Sequence, residues 1–109
     1  MFGFLKRLFQ HPADALIGAA RSPKWSGIRN TYAAKHPRCA VCQREEIEVH
    51  HIAPAHVFPE RELDPINLIS LCREHHYTFG HLCDWRSWNA NVRLDAMTWR
   101  QRILDRPKT

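Results

Sequence analysis

Val49-His50-His51-Ile52 sets two adjacent histidines in a short β-branched run, with Cys39-x-x-Cys42 before it and Cys72-x-x-His75-His76 after it. Histidine ligates metals as a neutral ring and titrates near physiological pH, so two in a row among further His and Cys point to chemistry rather than to ordinary surface imidazoles on an edge strand. In a regular strand, successive side chains point to opposite faces. His50 and His51 are therefore poorly placed to hold one ion together and take different tasks. One can bind a metal with histidines from the following helix while the other polarises a water, the division of labour that metal-assisted hydrolysis requires.

The cysteines give a second constellation. Cys39-x2-Cys42 and Cys72-x2-His75 are two pairs of ligands, each at the separation that lets a tight turn or a first helical turn aim both side chains at one ion. Four N/S ligands make a closed tetrahedral site, and closed sites are structural, so this pattern predicts a structural zinc. Cys83 is the rival fourth ligand, in an all-thiolate set with Cys39, Cys42 and Cys72. The spacing favours His75, which leaves Cys83 an ordinary buried thiol. Four cysteines could also pair as disulfides, but a CxxC matched by a CxxH in a reducing compartment reads as metal ligation.

Outward from these motifs the chain reads as follows. Residues 1–24 form an N-terminal helical extension, with Phe2, Leu5, Leu8 and Phe9 at helical spacing and a break at Pro12; it docks on the domain or on a second copy, with a membrane anchor as the weaker reading because the stripe is short. Residues 26–36 form a helix with Ile28, Tyr32 and Lys35 on one side, ended by Pro37. A tight turn at Cys39 to Cys42 leads to a strand over 46–52, then to a polar connection over 53–65 whose three prolines exclude a regular element. A short apolar strand over 67–71 precedes a helix starting at Arg73 and running to Leu82. Asn89 or Asn91 caps a last amphipathic helix over 93–105, with Leu94, Met97 and Leu104 on its stripe and Trp99 and Ile103 beside it.

A chain of 109 residues makes one domain and buries roughly two-thirds of its surface. Its core is small, so a metal staple is expected to help. The net charge of +5 favours polyanionic partners, and its distribution says more than the sum. Residues 1–44 carry eight Lys or Arg against one acid, 45–84 two against eight, and 85–109 six against two. Basic flanks thus enclose an acidic, histidine-rich centre, as they would if the flanks gripped phosphates around a bound cation. No run approaches the roughly 18 apolar residues of a membrane span, and no signal-peptide pattern opens the chain, so a cytoplasmic protein without a membrane partner is expected.

Taken together, Val49-His50-His51-Ile52-x-Pro54 followed by Asn67-Leu68-x-x-Leu71-Cys72-x-x-His75-His76 resembles the HNH endonuclease family, over about residues 36–82. The later FGHLCDWRSWN is similar to the tail of some phage and bacterial members. The resemblance implies an α+β fold: a small ββα-metal core, made of a two-stranded antiparallel hairpin plus a helix, supported by a zinc knuckle and flanked by α-helices, within a nuclease domain over 25–109. It implies DNA as partner and phosphodiester hydrolysis as activity. It also implies a structural Zn²⁺ on Cys39, Cys42, Cys72 and His75, and a separate catalytic divalent ion (Mg²⁺, Mn²⁺, Ni²⁺ or Zn²⁺). By position, His50 and His76 match metal ligands and His51 the general base. Asn67 matches the residue that orients the loop and base or joins the metal shell.

Two departures from the family pattern stand out. His75 replaces the common cysteine, which leaves His75 and His76 able to exchange roles. His81 lies five residues beyond His76 instead of four, about 500° of α-helical rotation instead of about 400°, so ligation by His81 requires the helix to distort near Gly80. Capping or packing is the other reading of His81. Arg44, Arg61 and Arg73 are candidates for phosphate contacts. His11, His36 and His56 read as surface residues, and Trp25, Trp85, Trp88 and Trp99 as core, with stacking on bases as the alternative. A non-catalytic zinc-stabilised DNA-binding module is the main rival function, and a protein-interaction adaptor a more distant one. Neither demands His50, His51, Asn67 and His76 together.

Overall fold

The computed structural model describes residues 21–107, so the helix expected within residues 1–20 lies outside the described residues. The described chain is a small α+β unit. Its order is helix α1 (Trp25–Lys35), strand β1 (Glu48–His51), strand β2 (Leu68–Leu71), a single helical turn α2 (Arg73–His75) continued by a π turn (His76–Gly80), and helix α3 (Val92–Leu104). Two single 3-10 turns, Pro59–Arg61 and Pro65–Asn67, each start on proline and shape the connection between the strands.

β1 and β2 pair antiparallel, with Glu48 opposite Leu71, Val49 opposite Ser70, His50 opposite Ile69 and His51 opposite Leu68. Cross-strand partners share a face, so the register sorts the chain into two layers. Val49, His51, Leu68 and Ser70 face α1: Ser70 Oγ donates to the His36 carbonyl at 2.6 Å, and the Tyr32 hydroxyl donates to the Leu68 carbonyl at 2.9 Å. Ile69 and Leu71, on the other face, join Cys39, Val41, Cys72, Val92 and Ala96 in the core. All four residues of β2 are buried, which a strand covered on both sides requires.

The knuckle docks on the outer edge of β2 through the Ala40 N–H, which donates to the Ser70 carbonyl at 2.9 Å. Its turn closes with Gln43 at φ 70°, the left-handed region that few side chains adopt.

Several expectations are corrected. The helix expected from Arg73 to Leu82 makes one α turn and then widens, and Leu82 and Cys83 both take positive φ (55° and 64°), which ends it. Helix α3 forms as expected but turns the other way. Its buried residues are Val92 and Ala96, whereas Leu94, Met97 and Leu104 are exposed. Its docking is set by polar ties: Arg93 donates to the carbonyls of Ile66 and Leu68, and Asn89 Nδ2 donates to the Phe79 carbonyl and the Asp95 carboxylate. Asn89 Oδ1 accepts the Asn91 N–H, so Asn89 shapes the approach to the helix and Asn91 offers no side-chain cap. None of the four tryptophans is fully buried, and Cys83 is exposed rather than buried.

Candidate metal centres

Two clusters of ligating side chains form, one on each side of a single peptide bond. Cys39, Cys42, Cys72 and His75 bring one ligand atom each to within 4.8 Å of one another. Cys42 Sγ lies 3.8 Å from Cys72 Sγ, and His75 Nδ1 lies 3.3 Å from Cys72 Sγ and 3.6 Å from Cys39 Sγ. Metal–sulfur bonds of about 2.3 Å in a tetrahedron demand ligand separations of about 3.8 Å, and these three separations lie near that value. The set can hold a metal ion. Cys83 lies outside it, which decides the fourth position in favour of His75.

The thiols are primed unequally. Burial raises Cys39, but backbone N–H groups of Cys72, Cys42 and Val41 aimed at its sulfur outweigh that and hold it below the ordinary thiol value. Burial pushes the Cys72 thiol up to about 11, and the neighbouring Cys39 adds to the rise. The His75 N–H donates to Cys72 Sγ at the start of α2 and works in the opposite sense. Burial holds His75 below the usual histidine value, which favours the neutral ring that ligates.

The second cluster is His50, His76 and His81, again with one ligand atom each inside 4.8 Å. Ring centroids lie 4.8 Å apart for His50–His76, 4.8 Å for His50–His81 and 4.9 Å for His76–His81. The distortion needed for His81 is present. The His81 N–H donates to the His76 carbonyl at 3.1 Å, an i→i+5 bond that completes one turn over five residues and brings both rings to one side. Gly80 makes the approach possible, because a Cβ there would stand 3.2 Å from two atoms of the His50 ring and 3.3 Å from His76 Cδ2. His75 and His76 do not exchange: the first joins the cysteines and the second the histidines.

Partners behind the rings orient them. Glu48 Oε1 accepts from His76 Nδ1 at 2.7 Å, and the Ser87 carbonyl accepts from His81 Nδ1 at 2.7 Å. Both bonds leave Nε2 as the ligating nitrogen, in the carboxylate- and carbonyl-backed arrangement common to metal-bound histidines. Trp85 flanks the cluster, with ring centroids 5.3 Å from His76 and 4.9 Å from His81. Glu48 and Trp85 were both missed from sequence as site residues. Period-two alternation, which puts Glu48 on the His50 face of β1, was the available signal for the first.

His51 points the other way, as strand alternation predicts. It is buried, its ring packs 4.3 Å from that of Trp25, and its Nε2 donates to the Glu62 carbonyl at 2.9 Å. In the neutral ring, that bond leaves Nδ1 as the basic nitrogen.

Asn67 stays out of the metal cluster and clips the connection between the strands. Its Oδ1 accepts the Ala53 N–H at 2.8 Å, and its Nδ2 donates to the carbonyls of Ala53 at 2.9 Å and Arg61 at 3.1 Å. Arg61 precedes Glu62, so Asn67 fixes the very segment that holds His51.

The three arginines are exposed and engaged. Arg44 pairs with Glu74 at 3.5 Å, Arg61 lies over the Phe58 ring, and Arg73 pairs with Glu48 at 3.3 Å and lies over Trp85. Through those two neighbours, Arg73 borders the histidine cluster. His36 and His56 are exposed as expected, while His11 lies outside the described residues. Among the described residues no helix is long and apolar enough to cross a membrane. The chain matches no protein-family model, no curated protein and no solved structure.

Proposed function

We propose that the chain is a metal-dependent DNA endonuclease of the HNH type, which hydrolyses phosphodiester bonds. Its structural zinc sits on Cys39, Cys42, Cys72 and His75, and a separate catalytic divalent ion on His50, His76 and His81. The observation that carries this reading is the three-histidine cluster with His51 next in sequence and directed to the opposite face of the strand. A structural site needs one closed set, which the cysteines complete. A second, three-ligand set leaves room for a substrate atom, the mark of a reactive site.

The residues present fit such an ion: three imidazole nitrogens, two of the rings backed by acceptors, around a space that Gly80 keeps clear. When bound, the ion neutralises charge on the scissile phosphate and on the departing 3′ oxygen. The protein does the rest. His51 takes the proton of the attacking water at Nδ1, while Nε2 stays committed to the Glu62 carbonyl. Asn67 holds that carbonyl's segment in place, and Glu48 keeps His76 oriented. Arg73, beside Trp85, supplies positive charge where a phosphate backbone passes, and Arg44 and Arg61 extend the basic border.

Supercoiled plasmid incubated with Mg²⁺, Mn²⁺, Ni²⁺ or Zn²⁺ tests the proposal, with nicked or linear product as the expected result. Salt-sensitive DNA binding with no strand scission under any of these ions would favour the zinc-stabilised binding module instead.

Glu48→Gln probes the ion site separately. The amide keeps the size but loses the charge behind His76, and partners of this kind are worth about 10–100-fold in metal affinity. Titration calorimetry with Mn²⁺ is expected to show a loss in that range, with the cysteine site still filled. Unchanged affinity would mean that the Glu48–His76 bond does not act on the ion.

A further inference from the structure

We propose that Trp25, outside the cysteine and histidine pattern, is a positioning residue for His51, so that the start of α1 belongs to the active site. The functional half of this inference rests on the nuclease reading; the clamp itself rests on geometry.

The His51 ring is fixed in two directions. Its face lies against Trp25, with centroids 4.3 Å apart and planes tilted by 32°. Its edge is tied at Nε2 to the Glu62 carbonyl at 2.9 Å. These two supports are joined to each other: the carboxylate of Glu62 accepts the Ser22 N–H at 2.8 Å, and the Trp25 N–H donates to the Ser22 carbonyl at 2.9 Å. Ser22, Trp25, His51 and Glu62 therefore close a ring of contacts around one imidazole. Further along α1, Tyr32 bonds the carbonyl of Leu68, the cross-strand partner of His51. The helix is thus anchored to both strands on the face that His51 occupies.

A base must meet its proton along one direction, and loss of that direction is costly even when the group itself is intact. Fixing one face and Nε2 leaves Nδ1 a single heading. A tryptophan serving only as apolar cover could be replaced by any side chain of adequate volume. A clamp needs a flat aromatic face, because ring pairs hold a defined offset geometry.

The test compares full-length Trp25→Leu and Trp25→Phe with the native chain, using plasmid nicking in Mn²⁺ and NMR of the His51 ring protons. Trp25→Leu is expected to lower kcat about tenfold or more with KM within about twofold, and Trp25→Phe to recover most of that loss. The ring-current displacement of the His51 protons should vanish in Trp25→Leu and persist in part in Trp25→Phe. Equal kcat losses in both variants, a loss borne by KM, or His51 protons undisplaced in the native chain would overturn the proposal.

Should Trp25→Leu fail to fold by circular dichroism, Trp25→Phe decides alone: displaced ring protons with most of kcat retained support the clamp, and their absence refutes it. If the native chain nicks under no ion, the nuclease reading falls, while the ring-proton shifts still decide whether Trp25 holds His51.

Discussion

His51→Ala is expected to abolish plasmid nicking while the histidine and cysteine clusters keep their ions. A positioned base is worth about 10²–10⁴-fold. The variant also leaves a hole between Trp25 and Glu62, so some loss of stability accompanies it; large-to-small changes at buried sites cost about 2–5 kcal/mol. That loss does not reach the metal ligands. His51 lies on the α1 face of the sheet, whereas both clusters lie on the other, so metal content by mass spectrometry and far-UV circular dichroism should remain near native. Nicking measured well below the melting point then separates chemistry from folding. Unchanged cleavage would remove His51 from the role of base.

Stripping the ion from Cys39, Cys42, Cys72 and His75 is expected to unfold the chain. The core around this cluster is small: among the described residues, the largest side chains fully withdrawn from water are Leu68, Leu71, Val41, Val92 and Cys39. Structural zinc contributes about 10–16 kcal/mol in comparable small modules, as large as the roughly 5–15 kcal/mol that a domain has in total. Cys42→Ser should therefore lose both the ion and the cooperative melting transition, whereas Cys83→Ser, outside the cluster, should lose neither. A folded, zinc-free Cys42→Ser protein would show that the core stands without the staple.

Acid acts in the same direction. Burial sets the folded His75 below 6.5, so the unfolded chain takes up its proton first. Stability declines as the pH falls below about 6.5. Protons also compete with the ion for Cys72, whose thiol lies at about 11 before the ion binds.

Much of this architecture is legible in the sequence because its signals are local. Cys39-x2-Cys42 and Cys72-x2-His75 announce their own geometry, β-branched runs mark both strands, and alternation alone separates His50 from His51. The orientation of α3 is not legible. Apolar residues occur all round that helix, at Val92, Leu94, Met97, Trp99 and Ile103, so periodicity does not choose a face. Arg93 and Asn89 choose it through bonds to backbone groups distant in sequence. The Trp25–His51 contact likewise needs the docking of α1 on β1, which no local pattern encodes. Asn67 stood out in the sequence, but its task as a clip depends on the carbonyls of Ala53 and Arg61, which only the folded connection brings to it.

The five-residue turn from His76 to His81 sets where a second ligand from the same segment can stand. One extra residue inside an α-helix swings everything after it by about 100°, which would carry a ligand off the site. Here one wide turn takes five residues from His76 to His81 and still sets the second imidazole beside the first. Gly80 supplies the clearance for that turn. His81 thus stands level with its partners in space, although its interval in sequence is not that of an α-helical turn.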